Sequence, residues 1–318
     1  MIQGTGNKVP GPRTEENKGM PAIPRPASTV ILLREKSPQG FEVFLLRRHQ
    51  KSAFMGGNYV YPGGTVDRND GSNEILSRCH GASLAQSSRP VLDLFEYRIA
   101  GLRELFEEAG VLLASTVDGK PLGQFDQEAR ERFLTYRKQL NSGEITLAKL
   151  AENEDLLLGP DQLHYYVHWV TPEANPLRFD TRFFMALHPS GQDASPDLQE
   201  TTEGIWIAPR QALEKNIEGT VPLSPPTLKT LEDLARFVNL QRVFASLPEA
   251  QARPLVLPVA TKVNGENILV YPWDPEYEAY KKGAAESVSH GSLSTPSDNT
   301  TRLVFREGRW LPFTKRNA

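Results

Sequence analysis

A single cysteine, Cys79, stands in 318 residues. That excludes an internal disulfide framework and a multi-cysteine zinc site, and it fits a reducing compartment. Long hydrophobic runs are missing as well: stretches such as Val30–Leu33 fall far short of the ~20 apolar residues that cross a bilayer. Charge of one sign is not in surplus, with 36 Lys and Arg against 39 Asp and Glu and a formal net charge of −3. No global field therefore favours nucleic acid or an anionic membrane surface, and neither is expected as a partner. Any anionic ligand must be held by local groups. Residues 1–26 are rich in Gly, Pro and charge, lack an apolar stretch of signal-peptide length, and read as a flexible leader. A cytoplasmic protein is expected.

What is present is a hydrophobic content of 39%, enough to bury a sizeable core. Short β-branched and aromatic runs at Ser28–Leu33, Phe41–Arg47 and Tyr59–Tyr61 read as strands, the first two joined as a hairpin. Strands recur at "LHYYVHWVTP", "TRFFMALHP" and "EGIWIAP". Between them, Leu92, Phe95, Ile99, Leu102, Leu105 and Phe106 recur at helical spacing, and Gly110 offers a stop. A second helix is expected over about 126–140, and others at "PRQALEKN" and "PTLKTLEDLARFV"; the tail carries β-like runs at "PLVLPVA" and "NILVYPW", then a polar loop around 286–301. This order suggests an α/β (α+β) fold with a mixed β-sheet sandwiched between helices. His164 and His168 lie four apart, but in a strand that spacing separates them by ~13 Å, so they do not predict a zinc site.

Two stretches carry chemistry. "YPGGTVDRND", residues 61–70, places two adjacent glycines after a strand, where the backbone can approach a ligand closely. "RELFEEAGV", residues 103–111, sets Glu104, Glu107 and Glu108 at i, i+3 and i+4, so three carboxylates project from one side of a helix. Their repulsion is only partly offset by Arg103. A divalent cation such as Mg²⁺ or Mn²⁺ would offset the rest, since hard oxygen ligands on one helical turn suit it; the alternative is an exposed charged helix face.

Together the two stretches match the ends of the Nudix box, G-x5-E-x7-R-E-U-x-E-E-x-G-U with U apolar, through Gly64 and then Arg103, Glu104, Leu105, Glu107, Glu108, Gly110 and Val111. Gly64 precedes Arg103 by 39 residues where an uninterrupted box has 14, so about 25 residues (39 − 14) are inserted, placed at about 70–94. Counted back from Arg103, the isolated acid of the box falls on Phe95, with Glu96 one position out of register. With "LLRRHQKSAFMGGNYVYPGG", "PLRFDTRFFMALHP" and "ETTEGIWIAP", and a weaker echo in "YPWDPEYEAY", the chain resembles the branch of Nudix hydrolases typified by peroxisomal coenzyme A diphosphatase.

That resemblance implies a Nudix fold with an insertion and a C-terminal helical extension: a leader over 1–26, a hydrolase domain over 27–240 and an extension over 241–318 packing on the same domain. It implies metal-dependent hydrolysis of a small-molecule nucleoside diphosphate such as coenzyme A or acyl-coenzyme A, giving 3′,5′-ADP and (acyl-)4′-phosphopantetheine. ADP-ribose, NADH or a nucleotide sugar are alternative substrates, and a non-catalytic nucleotide-binding protein is a rival of another class. Glu107 and Glu108 are the expected ligands of Mg²⁺ or Mn²⁺, with Glu104 a third ligand or the proton acceptor, and a carbonyl of Gly63 or Gly64 is placed on the metal by the same analogy. Arg103 is expected to orient a glutamate. Glu203 is either a late catalytic acid or an ordinary exposed one, and Arg47, Arg48 and Lys51 form a basic cluster suited to a further phosphate or to a solvated strand end. A homodimer is left open.

Overall fold

Strand β1 (Arg25–Glu35) explains the layering, because its alternate side chains enter two different cores. Ile31 and Leu33 join one apolar cluster while Val30 and Leu32 join another, all four fully buried. β2 (Phe41–Arg48) and β8 (Phe179–Leu187) divide in the same way: Val43, Leu45, Phe183 and Met185 face the first cluster, and Phe44, Leu46, Phe184 and Ala186 the second. Strands buried on both faces read as continuous apolar runs, as these do. The structure is a computed structural model that describes residues 21–36, 40–52, 54–80, 94–123, 125–247, 254–283, 291–293 and 300–315.

The main sheet runs β3 (Tyr59–Val60), β2, β1, β8, β7 (His164–Val170), with β4 (Gly63–Thr65) paired to β1 and β9 (Thr201–Ile207) to β2. β1 and β8 are parallel and the other pairs antiparallel, a mixed sheet. The second cluster is covered by α2 (Leu94–Ala109), α3 (Gln127–Asn141) and α4 (Leu147–Asn153), beside the small β5 (Ala114–Thr116) and β6 (Leu156–Leu158) pair. The first is covered by α5 (Pro209–Glu218), α6 (Pro225–Leu234) and α7 (Leu240–Ala245).

Beyond Ala245 the described chain adds one short helix (Tyr277–Lys281) and is otherwise largely sheet, where a helical extension was expected. β10 (Val259–Val263), β11 (Glu266–Val270), β13 (Arg302–Arg306), β14 (Arg309–Lys315) and β12 (Gly291–Leu293) form an antiparallel sheet in that order. Leu269 and Leu303 on its inner face belong to the first core cluster. A buried ion network ties it together. Arg302, 2% exposed, donates to both oxygens of Asp274 at 2.6 and 2.7 Å, to Glu276 at 2.7 Å and to the Tyr280 hydroxyl at 3.2 Å. Those partners are the acids and a tyrosine of "YPWDPEYEAY".

Residues 1–20 of the expected leader lie outside the described residues, and β1 already begins at Arg25. Residues 81–93 of the insertion also lie outside them, but its first part is built in: a 3-10 turn (Arg68–Gly71) and α1 (Asn73–Leu76) place Ile75 and Cys79 in the second core cluster. No helix among the described residues is long and apolar enough to cross a membrane.

Candidate active site

The glycine loop and the carboxylate helix meet because both are pinned to β1. β4 pairs antiparallel with it, Gly63 opposite Thr29 and Gly64 opposite Ser28. α2 crosses the same strand closely at Gly101, where a Cβ would stand 2.9 Å from Ser28 Oγ and 3.1 Å from the Val30 and Leu163 side chains. One turn further on, the helix presents its glutamates to β4. Gly64 lies directly under Glu104: a Cβ there would sit 2.4 to 2.6 Å from the carboxylate, so only glycine fits without displacing it. The Gly63 N–H donates to Glu108 Oε2 at 2.8 Å.

Arg103 holds the other two carboxylates. Its Nη1 donates to Glu104 Oε1 at 2.8 Å and to Glu107 Oε2 at 2.9 Å, and its Nη2 to the Thr65 carbonyl at 2.7 Å. Its remaining donors go to an acid that the backward count does not reach: Nε to Asp70 Oδ1 and Nη2 to Asp70 Oδ2, each at 3.0 Å. Asp70 is 2% exposed and also accepts from the backbone N–H of Asp67 at 2.7 Å. Counted forward from Gly64, Asp70 is the acid position of G-x5-E, so all the inserted residues fall between it and the helix. Glu96 turns instead toward Gly71, where a Cβ would lie 2.6 Å from its Oε1.

Burial dominates the electrostatics. It pushes all three glutamates up from the usual carboxylate range. For Glu107 burial acts first and repulsion from Glu104 second, against the pull of Arg103, and it is pushed up to about 7. Glu104 is raised by burial although Arg103 opposes the shift, and Glu108 by burial and then by Glu104, although the Gly63 N–H and Arg48 oppose it. Burial also works against the charge of Arg103, yet Glu104, Asp70 and Glu107 outweigh it and hold the guanidinium protonated.

Three acids bonded to Arg103 and a fourth, Glu108, on the Gly63 N–H near Arg48 make a site with surplus negative charge and oxygen donors only. That donor set fits a hard divalent cation held by one or two carboxylates with waters retained, as is general for Nudix hydrolases. Among the described residues no three acidic, imidazole or thiol groups converge into a ready cage. Arg103 and the Gly63 N–H hold the carboxylates in place in the meantime.

The site opens into a cleft of about 1820 Å³ lined by Gly63, Gly64, Arg103 and all three glutamates, and by Arg48 and Lys51. Arg47 and Glu203 do not line it. They form a pair of their own on β2 and β9 at 3.9 Å, with the Tyr59 hydroxyl donating to Glu203 at 2.7 Å. Glu200, just before β9, lines the cleft instead, and its charge adds to the upward push on Glu104 and Glu108. Arg178 is buried and donates to the carbonyls of Thr171 and Ala22, a structural role.

The model of the NUDT19 Nudix domain matches residues 80–236. "Acyl-coenzyme A diphosphatase NUDT19" of Xenopus laevis is 24% identical over 66% of this chain and 64% of its own length, and that of Homo sapiens 27% over 68% and 66%. This chain thus spans just under two thirds of those two relatives; the Gallus gallus protein of the same name is 28% identical over 81% of this chain and 82% of its own. The crystal structure of a NUDIX hydrolase from Alicyclobacillus acidocaldarius superposes with a TM-score of 0.59 at 24% identity, covering 71% of this chain and 97% of that one. With that fold, the interrupted box assembled around Arg103, and these relatives, the chain resembles the Nudix hydrolases, and within them the branch of the acyl-coenzyme A diphosphatases.

Proposed function

We propose that the protein hydrolyses the diphosphate of coenzyme A or an acyl-coenzyme A with Mg²⁺ or Mn²⁺, releasing 3′,5′-ADP and (acyl-)4′-phosphopantetheine. The observation that supports this reading is that Glu104, Glu107 and Glu108 line one cleft together with Arg48 and Lys51, in a chain whose relatives are named for that substrate. In the reaction the oxygen of a water attacks one phosphorus, the bridging P–O bond breaks, and the other phosphate leaves with the electron pair. Glu107 and Glu108, with a carbonyl of Gly63 or Gly64, would hold a divalent cation, which would supply stabilisation for the charge that builds on the phosphoryl oxygens.

The chain's own groups do the rest. Arg48 and Lys51 bind phosphate oxygens as cations in the same cleft. Arg103, held by Asp70, fixes the direction of Glu104 and Glu107. Burial pushes Glu107 up to about 7 and also raises Glu104, and a raised carboxylate suits taking a proton from water; Glu104 is the third ligand or the proton acceptor beside Glu107.

The test is product analysis by mass spectrometry after incubation with coenzyme A, acetyl-coenzyme A, ADP-ribose and NADH, each with Mg²⁺ or Mn²⁺, beside Glu107→Gln. Release of 3′,5′-ADP by the wild type alone supports the reading. Cleavage of ADP-ribose or NADH with coenzyme A left intact moves the substrate within the superfamily, and no turnover of any of them defeats the reading.

A further inference from the structure

The cleft is larger than the chemistry at its acidic end needs. Small-molecule sites typically occupy ~300–1,000 Å³, against about 1820 Å³ here. The cleft reaches the C-terminal sheet, whose inner face forms part of its wall. Register defines that face. Lys262 is opposite Asn267, Ala260 opposite Leu269, Leu269 opposite Leu303, and Phe305 opposite Trp310.

Side chains two apart on a strand share a face, so these residues stand on one side of the sheet. Its other side, with Ile268 and Val270, packs on Tyr280. Half of the inner face is spent on the core, through Leu269 and Leu303. Toward the turns the face is only partly covered: Ala260 and Trp310 pack partly buried against that core, Phe305 is 36% exposed and packs on Trp310 at 5.2 Å between ring centroids, and all three line the cleft with Leu269.

We propose that this aromatic and aliphatic strip holds the acyl-bearing pantetheine arm of the substrate, so that the C-terminal sheet sets acyl preference; this rests on the acyl-coenzyme A reading above. Charge distribution favours the arm over the nucleotide. Arg48 acts on Glu108 at the glutamate end and Lys51 lines the same cleft, whereas among the described residues the strip carries the cation Lys262 and the amide Asn267 at its edge and is otherwise apolar at Ala260, Leu269, Phe305 and Trp310. A flexible apolar chain gains from such a surface by leaving water.

The experiment compares kcat/KM for free coenzyme A, lauroyl-coenzyme A and 3′-dephospho-coenzyme A in wild type, Phe305→Ser, Asn267→Leu and Lys262→Met. Phe305→Ser should lower the ratio of lauroyl-coenzyme A to free coenzyme A about tenfold, through KM, as expected for loss of an apolar pocket contact. Asn267→Leu, which extends the strip at an exposed position, should raise that ratio about threefold, a gain that misfolding cannot mimic. An unchanged ratio in both variants overturns the proposal. So does a Lys262→Met enzyme that loses activity on coenzyme A but not on 3′-dephospho-coenzyme A, because the strip would then read the nucleotide. If wild type leaves free and acylated coenzyme A intact while cutting another diphosphate, the underlying reading fails first, and this one with it.

Discussion

Replacing Asp70 by Asn removes one charge and one acceptor from a buried clamp. Asp70 Oδ2 takes two donors, the Asp67 N–H at 2.7 Å and Arg103 Nη2 at 3.0 Å, while Oδ1 takes only Arg103 Nε at 3.0 Å. An asparagine amide would therefore turn its NH₂ toward Nε, the position of least conflict, and set donor against donor. The loss is one charge-assisted hydrogen bond, about 1.5–3 kcal/mol, with the guanidinium pushed off its fork. Stability falls by less than the full loss of a buried partner, about 3–5 kcal/mol, because removing a negative charge also relieves repulsion among the remaining carboxylates. Activity suffers more than stability. Arg103 Nη1 is what aims Glu104 and Glu107, and a misplacement of about 1 Å at such a site costs on the order of 10²-fold.

The assay is kcat on the cleaved substrate together with thermal melting, for Asp70→Asn and Asp70→Glu, the latter restoring the acid of the G-x5-E pattern. We expect kcat to drop about a hundredfold in Asp70→Asn and to recover largely in Asp70→Glu. An Asp70→Asn enzyme that keeps kcat within about twofold while Arg103→Lys is inactive would refute the clamp.

Gly64→Ala would place its methyl against the Glu104 carboxylate, where Oε1 stands 2.4 Å from the new Cβ; activity should fall at least ~10-fold with little change in melting temperature, and an active Gly64→Ala enzyme contradicts the packing. Arg302→Met strips Asp274 and Glu276 of a 2% exposed partner and should cost about 3–5 kcal/mol in urea unfolding; a change below ~1 kcal/mol would mean the network is replaceable. In metal-free protein Glu107 is held up at about 7 by burial and by Glu104, against 4.5 for the free side chain. The folded state therefore keeps a proton the unfolded state has lost, and stability should fall as pH rises from about 4.5 to about 7, by roughly 1–3 kcal/mol. Adding Mg²⁺ or Mn²⁺ near pH 6 should release protons, read as buffer-dependent heat in calorimetry; heats that do not vary with the buffer would count against the assignment.

The carboxylate helix is legible in the sequence because two local rules agree there: apolar spacing buries Ile99, Leu102, Leu105 and Phe106, and the same period stacks the glutamates on another side. β1, β2 and β8 are legible as runs too apolar to face water. Asp70 is hidden by the direction of counting. Measured back from Arg103 across the insertion the acid lands on Phe95, and only a forward count from Gly64 reaches Asp70, 33 residues before the arginine. Glu200 is hidden for a different reason. Strand β9 begins at Thr201 and pairs Glu203 with Arg47, so the acid that looks well placed lies along the sheet while its predecessor faces the cleft, a distinction of register and not of composition. The β13–β14 hairpin is signalled by "REGR", with Gly308 at φ +77°, a turn that is easily passed over in a polar tail. The short β5, β6 and α4 are held by tertiary packing against α2 and α3 and leave little local trace.

How the box tolerates its interruption follows from the same geometry. Lengthening the segment between the acid and the arginine from 8 to 33 residues raises the closure cost by only about 1 kcal/mol, since that cost grows with the logarithm of length. The Asp70–Arg103 clamp exceeds it. The chain also does not cross the gap unsupported. Ile75 and Cys79 are buried in the helix-side core, and the segment is bonded to β6, with Leu158 N–H donating to the Arg78 carbonyl at 2.7 Å and His80 N–H to the Leu158 carbonyl at 2.9 Å. These anchors fix the peptide just after Asp70 through the helix-side core and the β6 backbone as well as through α2. The acid is thus presented to Arg103 by two supports, β4 before it and the docked α1 segment after it, so the residues inserted beyond Cys79 can change in length without moving the carboxylate that orients the site.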